Sequence, residues 1–222
     1  MKLWLASTDA DLVARYFELG LFVGVLTNPT TLAAAKRPPV EIMRDLCVAT
    51  SSPVFFQLNQ GAPEAMKQHA DALLAKGWKN LGIKVPLTRE GCVVLAWLRA
   101  QRVSLRLATA VPTTQQVLLA DALDVPWITP VGSVLEKLGG PPKLALLSEM
   151  QLALDRQRST STLIPSLASP AEMLALALAG VRAGFIWDRD VDRFVDHELV
   201  QRTVAGFDSA WHAIASAHPG GY

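Results

Sequence analysis

The sequence predicts an α/β fold of the (β/α)8 TIM barrel type with an extended C-terminal helical arm. Short apolar runs alternate with longer amphipathic stretches along the chain, which is typical of a parallel sheet covered by helices. Eight such runs occur, and dividing the 222 residues among eight units leaves about 28 residues each, enough for a strand, a helix and two loops. The alternative is an open doubly wound sheet, but the turn Ala6–Ala10 after the first run lacks the glycines of a nucleotide-binding loop.

The predicted strands are short, apolar and bounded by turn residues, and in chain order they are Lys2–Ala6, Phe22–Leu26, Pro53–Leu58, Asn80–Val85, Val103–Ala108, Val125–Thr129, Ser161–Pro165 and Ala183–Trp187. Apolar residues at i, i+3 and i+4 predict helices between them, including Thr8–Leu19, Ala62–Ala75, Thr88–Ala100, Thr113–Leu123, Pro141–Arg158 and Pro170–Ala179. Three hydroxyl residues are expected to cap helix N-termini: Ser7, Thr88 and Ser169.

The segment after the eighth predicted strand is longer than one barrel helix requires. We therefore predict a barrel over residues 1–195 and, in the same domain, a helical arm over residues 196–222. Mean hydropathy is +0.26, which is high for a soluble monomer. We expect the arm to pack on a neighbouring subunit through its apolar stripe of Leu199, Val200, Val204, Phe207, Trp211 and Ile214.

Composition restricts the classes of partner. The chain is 50% hydrophobic, which excludes disorder, and 21 Lys and Arg against 20 Asp and Glu give a net charge of +1. A nucleic-acid binder or a polybasic membrane anchor would carry a basic excess. No apolar run approaches the roughly 20 residues of a membrane span, and two widely spaced cysteines are typical of reduced thiols. We expect a cytoplasmic protein that binds a small molecule.

Lys84 is the first candidate for a chemical role. In Leu81–Pro86 the strand period of two places Gly82 and Lys84 on one face and Ile83 and Val85 on the other. If the apolar pair packs on the helices, Lys84 points into the barrel near its C-terminal end, where such enzymes hold their active sites. Loss of hydration there lowers the pKa of an amine and makes it a nucleophile. The alternative is a lysine whose ammonium reaches solvent along an extended stem.

Four uncharged polar residues stand at or just after other predicted strand ends and are placed to face the same mouth: Asn28, Gln57, Thr109 and Ser166. Each alone has a simpler interpretation as a turn or backbone-bonding residue. Gln57 is the exception, because it follows large apolar side chains and needs partners if buried. The histidines fall in helices or the tail, so the sequence predicts neither a metal site nor a serine–histidine relay. No cofactor is expected.

Several segments resemble the transaldolase family, and within it the small fructose-6-phosphate aldolase type. They are Val25-Leu26-Thr27-Asn28-Pro29-Thr30, Phe56-Gln57, Ile83-Lys84-Val85-Pro86, Ala108-Thr109-Ala110-Val111, and a tail containing Phe207 and Trp211. The resemblance covers nearly the whole chain in the right order. It implies a barrel, a class I aldol mechanism without metal, a cytoplasmic role in carbohydrate metabolism, and a ring-shaped homo-oligomer such as a pentamer or decamer.

The resemblance also implies roles by position. Lys84 matches the lysine that forms a Schiff base with a ketose donor before an aldehyde acceptor is released or attacked. Gln57 and Thr109 match catalytic groups that position the water used in proton transfer. Asn28 and Ser166 match groups that bind donor hydroxyls, and Thr27 belongs to the same substrate-binding segment.

The chain departs from the family pattern at four positions. Ala6 stands where the family has an aspartate, Leu26 where it has a second threonine, Val131 where it has a tyrosine, and Val134 where it has a phosphate-binding arginine. The Schiff-base lysine is therefore retained, whereas the aspartate and the phosphate-binding arginine are missing. We expect altered and unphosphorylated substrates, with Asp9, Glu136 or water in place of the missing acid.

Two other hypotheses follow from the same residues. The four departures together also fit a noncatalytic barrel of this family that binds a metabolite or serves as an assembly partner. An unrelated phosphate-binding barrel, such as a synthase or epimerase, would need phosphate donors near Gly139–Gly140, and that turn is ordinary loop chemistry.

Overall fold

The computed structural model describes residues 1–218 and 220, and the chain divides into two compact units, Met1–Asp188 and Arg189–Tyr222. The first unit confirms the predicted (β/α)8 barrel. Its strands within the described residues are β1 (Lys2–Ala6), β2 (Phe22–Leu26), β3 (Val54–Gln57), β4 (Leu81–Pro86), β5 (Arg106–Val111), β6 (Trp127–Pro130), β7 (Thr162–Leu163) and β8 (Ala183–Trp187).

All neighbouring strands pair in parallel, in the order β7-β6-β5-β4-β3-β2-β1-β8. The two outer strands of this order meet through a bridge between Ser166 and Phe185. The Phe185 amide donates to the Pro165 carbonyl, and the Leu167 amide donates to the Phe185 carbonyl, each at 2.8 Å. These bonds bring the barrel close to full closure and fix the backbone just after β7.

The helices of the first unit are α1 (Ala10–Phe17), α2 (Pro29–Ala34), α3 (Pro39–Ala49), α4 (Pro63–Leu74), α5 (Arg89–Ala100), α6 (Thr114–Ala122), α7 (Gly132–Lys137), α8 (Lys143–Arg156) and α9 (Pro170–Leu178). The second unit holds α10 (Val191–Val195) and α11 (Glu198–Ala217), and no residue of α11 is buried. Pro219, Gly221 and Tyr222 of the predicted arm lie outside the described residues. Within the described part of the chain, no helix combines the length and apolarity that crossing a membrane requires.

The barrel interior is filled by large apolar side chains. Trp4, Phe55 and Trp127 meet at centroid distances of 5.5 to 5.8 Å. Gly82 makes room for this cluster, because a Cβ there would lie 2.4 Å from the Phe55 ring. Lys84 follows Gly82 on the same face of β4, so its stem lies above an apolar floor.

One of the three predicted helix caps needs correction. Ser7 does not cap α1, because the helix begins at Ala10 and the Asp9 carboxylate accepts from the amides of Asp11 and Leu12. The Ser7 hydroxyl accepts from the Asp9 amide at 3.1 Å and donates to Asp188 at 2.6 Å. Thr88 and Ser169 do cap their helices, as predicted.

Strand β5 begins three residues later than predicted because Val103, three residues after the end of α5, is still hydrogen-bonded to the last turn of that helix. The Val103 amide donates to the Leu98 carbonyl at 3.0 Å, after Arg102 has turned the chain at a φ of 58°. By strand alternation Arg106 faces away from the barrel interior, and it donates to the carbonyls of Val103 and Asp124. Backbone carbonyls, rather than an acidic side chain, are thus the hydrogen-bond partners of this guanidinium.

Candidate active site

Lys84 lies inside the barrel, with 6% of its surface exposed. Its ammonium donates to the Thr27 carbonyl at 3.2 Å, and within residues 1–218 and 220 no carboxylate pairs with it. Burial lowers the pKa of Lys84 from 10.5 to about 8, because the charged form loses hydration without gaining a counter-ion.

The lowered pKa of Lys84 sets the fraction of its side chain that is an uncharged, nucleophilic amine at neutral pH. At pH 7.5 a pKa of about 8 leaves about a quarter of the amine neutral, whereas a lysine of pKa 10.5 is neutral about one time in a thousand. The Lys84 amine is therefore available for carbonyl addition at neutral pH.

The β2–α2 junction brings Thr27 and Asn28 to the mouth in different ways. The Thr27 hydroxyl donates to the Phe55 carbonyl at 2.8 Å, so its side chain is engaged between β2 and β3 while its carbonyl accepts from Lys84. Asn28 caps α2, and its Oδ1 accepts from the Thr31 amide at 3.0 Å. This bond leaves the Asn28 amide NH2 without a hydrogen bond to any described residue. The predicted substrate contacts of both residues stay predictions.

Gln57 is adjacent to Lys84, since the two residues are register partners in the β3–β4 pair. Its side chain is half-buried and makes no hydrogen bond within the described part of the chain. An amide with one acceptor and two donors free beside a reactive amine can orient a water or a substrate hydroxyl.

Thr109 is buried at the end of β5 and accepts a hydrogen bond of 2.8 Å from the hydroxyl of Thr129 on β6. The two are register partners and lie on the same face as Lys84 by strand alternation. Sequence reasoning missed Thr129, although the rule that selected Thr109, a polar side chain at a strand end, applies equally to it.

Ser166 lies in a group of four polar side chains beyond β6 and β7. Its hydroxyl is 3.3 Å from that of Ser133, and its carbonyl accepts from the Lys143 ammonium at 2.7 Å. Lys143 also forms a 2.8 Å ion pair with Glu172, and its side chain is 5% exposed. Sequence reasoning missed Lys143, because a lysine in the first turn of a helix is ordinarily exposed and nothing in the pattern signals its burial.

The four divergent positions carry no replacement charge. Ala6 is buried in the strand and Leu26 belongs to the interior cluster, while Val131 precedes α7 and Val134 is 55% exposed. By strand alternation Ala6 faces the barrel interior, whereas Ser7, which is hydrogen-bonded to Asp188, faces the helices.

Two residues named as possible substitutes for the missing acid have other partners. Asp9 caps α1, and Glu136 accepts from the Lys143 amide at 3.1 Å. Within residues 1–218 and 220, no three His, Cys, Asp or Glu side chains lie together as a metal site requires. The described polar groups nearest to Lys84 in strand register are therefore uncharged.

No family model matches the chain. Comparison with known proteins nevertheless finds relatives that align with it along nearly their whole length. The chain is 27% identical over 216 residues to the probable transaldolase 2 of Listeria monocytogenes, covering 97% of this chain and 98% of the relative. The chain is 25% identical over 213 residues to the probable transaldolase of Methanococcus maripaludis, and the alignment covers 96% of this chain and 98% of the relative. It is 26% identical over 218 residues to the probable transaldolase of Caulobacter vibrioides, and the alignment covers 95% of this chain and 96% of the relative.

Among solved structures, a flavocytochrome b2 variant with sulfite bound superposes with a TM-score of 0.59 at 12% identity. The match covers 85% of this chain, which spans 57% of the length of that one, and it shows the barrel fold alone. Several of the relatives align from end to end with this chain, which folds as the expected barrel, so the protein is similar over nearly its whole length to probable transaldolases.

Proposed function

We propose that this protein is a class I aldolase of the transaldolase type, in which Lys84 forms a Schiff base with a ketose or small hydroxyketone donor. The observation that carries the proposal is the buried Lys84 amine, whose pKa is lowered to about 8 and which has no carboxylate partner in the described chain. A buried, unpaired lysine costs folding free energy, so its presence needs a functional explanation.

The first step is addition of the neutral amine to the donor carbonyl. The Nζ lone pair forms the new C–N bond, the carbonyl oxygen takes a proton, and the resulting carbinolamine loses water to give the iminium ion. Asn28 and Gln57 are the amides placed to orient donor hydroxyls during this step, because neither amide NH2 group has a partner within residues 1–218 and 220.

Cleavage of the carbon–carbon bond follows from the iminium ion as an electron sink. The electron pair of the broken bond passes to the nitrogen to give an enamine, the hydroxyl proton of the departing part leaves to a base, and an aldehyde is released. In the reverse direction the enamine attacks an acceptor aldehyde. With Ala6 at the family's aspartate position, the Thr109–Thr129 hydroxyl pair is the buried relay for protons to and from water.

The substrate is proposed to be unphosphorylated. A phosphate group carries about −1.5 to −2 charges near pH 7 and is best held by a bidentate arginine. Val134 stands at the position of that arginine, and Val131 at that of the neighbouring tyrosine. Loss of both contacts favours small neutral donors such as dihydroxyacetone or hydroxyacetone.

We also propose that the protein is a homo-oligomer joined through α11. This helix presents six apolar side chains to solvent, each 45 to 63% exposed: Leu199, Val200, Val204, Phe207, Trp211 and Ile214. A continuous apolar stripe of that size is characteristic of a subunit interface.

Product analysis tests the proposed reaction. Dihydroxyacetone or hydroxyacetone is incubated with glyceraldehyde, and the products are separated by liquid chromatography and mass spectrometry. Fructose 6-phosphate is incubated separately as a phosphorylated ketose, whose cleavage would contradict the proposal of an unphosphorylated substrate. The wild-type protein is expected to form the aldol adduct and Lys84→Met to form none. Equal product from both proteins would refute the role of Lys84, whereas no product from either would favour the noncatalytic alternative.

A further inference from the structure

We propose that Ser133 and Ser166 form a subsite for an uncharged hydroxyl of the substrate, and that the ion pair of buried Lys143 with Glu172 is the specificity element that keeps phosphate out of it. This inference rests on the proposed aldolase function, whose substrate class it defines.

The location of the group follows from the topology. Ser133 is in the first turn of α7, directly after β6, and Ser166 is three residues beyond β7. Both are therefore at the carboxyl ends of strands, the same end of the barrel at which Lys84 lies near the end of β4. Strand β7 is three strands from β4 around the barrel, so this corner is suited to the part of a substrate remote from its Schiff-base carbon.

The chemistry of the pair fits a hydroxyl group. The two serine oxygens are 3.3 Å apart, and either can be the donor. Each hydroxyl has one proton and two lone pairs, so after their mutual bond the pair can still donate once and accept further bonds. A substrate hydroxyl needs one donor and one acceptor, and it needs no charge.

The ion pair beneath the serines is already complete. The Lys143 ammonium contacts Glu172 Oε1 at 2.8 Å and the Ser166 carbonyl at 2.7 Å, while its 3.5 Å approach to the Ser166 hydroxyl is at the limit of a bond. The other carboxylate oxygen of Glu172 accepts from the Ala168 amide at 2.6 Å. The pair is thus electrically neutral as a unit, and its carboxylate opposes the entry of a second anion.

Close packing holds Lys143 in this position. A Cβ at Gly132 would lie 3.1 Å from Lys143 Cγ, so the absence of a side chain at Gly132 makes room for the lysine stem. The ammonium cannot swing into the mouth without losing the Glu172 carboxylate and the Ser166 carbonyl as partners. A phosphate group would therefore meet a cation that is already neutralised.

Glu172→Gln tests the electrostatic part of the proposal. The amide keeps an oxygen for the Ala168 N–H but removes the negative charge, so Lys143 becomes a free cation beside Ser166. With dihydroxyacetone as donor, the ratio of kcat/KM for glyceraldehyde 3-phosphate to that for glyceraldehyde is expected to rise at least tenfold, mainly through a lower KM for the phosphorylated acceptor. Glu149→Gln is the matched control, since it removes the same charge from an exposed position on α8.

Binding is measured separately, so that failure of catalysis does not obscure the result. Thermal shift with inorganic phosphate is expected to show stabilisation of Glu172→Gln and none of wild type or Glu149→Gln. Ser133→Ala is expected to raise KM for glyceraldehyde severalfold, and to raise it much less for propionaldehyde, which lacks hydroxyls.

The proposal would be overturned if the wild-type protein already preferred the phosphorylated acceptor or was stabilised by phosphate. It would equally be overturned if the two glutamine variants responded alike, or if Ser133→Ala left the KM for glyceraldehyde unchanged. None of these outcomes depends on the Lys84→Met comparison, so the subsite and the aldolase reaction are tested independently.

Discussion

Replacing Lys84 with methionine is expected to stabilise the protein at neutral pH while abolishing activity. A pKa of about 8 in the folded protein against 10.5 in an unfolded chain corresponds to about 3 kcal/mol of free energy lost on holding the charged lysine in the barrel. Methionine fills a similar volume without charge, although the Thr27 carbonyl loses a hydrogen bond of about 1 kcal/mol. The expected net gain is about 2 kcal/mol near pH 7.

The gain has a characteristic pH dependence. Between pH 8 and 10.5 the unfolded wild-type chain binds more protons at this lysine than the folded one, so wild-type stability rises with pH relative to the variant. The advantage of Lys84→Met is therefore full below about pH 8 and disappears by about pH 10.5.

Urea denaturation of both proteins at several pH values between 7 and 10 measures the difference, and other titrating groups cancel because both chains contain them. Lys79→Met removes a lysine from an exposed position and is the control, with an expected change in stability within about 0.5 kcal/mol. A difference between wild type and Lys84→Met that is constant over this range, or a wild type more stable at pH 7, would refute the reasoning.

Three further predictions test other parts of the account. Gly82→Ala places a Cβ 2.4 Å from the Phe55 ring and is expected to destabilise the barrel by about 1 to 3 kcal/mol in urea denaturation; an unchanged midpoint would contradict the described packing. Thr109→Ala is expected to lower kcat by about a hundredfold or more while the Schiff base still forms, as read by steady-state kinetics and intact mass; full activity would remove the hydroxyl pair from the mechanism. Phe207→Glu combined with Trp211→Glu is expected to convert an oligomer to monomer in size-exclusion chromatography with light scattering, and an unchanged mass would exclude α11 as the interface.

Much of the barrel could be predicted from the sequence, because its strands are short apolar runs with clear breaks on both sides. The bounds of β1, β2 and β8 agree with the structure residue by residue. The start of β5 was wrong, since Val103 and Leu105 alternate with Ser104 as in a strand but follow a helix end set by the left-handed backbone of Arg102. Such a turn has no signature when the residue is not glycine.

The candidate site was predictable only in part. Strand alternation left two interpretations of Lys84, inside the barrel or reaching solvent from a strand end, and the structure buries it inside. The Lys143–Glu172 pair was not predictable, because it depends on the closeness of α8 to Gly132 and to the segment after β7. Contacts between elements far apart in sequence leave no periodic pattern.

Reductive trapping is the most direct test of the central claim, that Lys84 is a Schiff-base lysine. The protein is incubated with dihydroxyacetone at pH 7.5 and reduced with borohydride, and the modified peptide is identified by mass spectrometry. A single adduct on the peptide containing Lys84, absent from Lys84→Met, is the result expected from a buried amine of pKa about 8. The claim would be contradicted by no adduct, or by adducts spread over exposed lysines and unchanged in Lys84→Met.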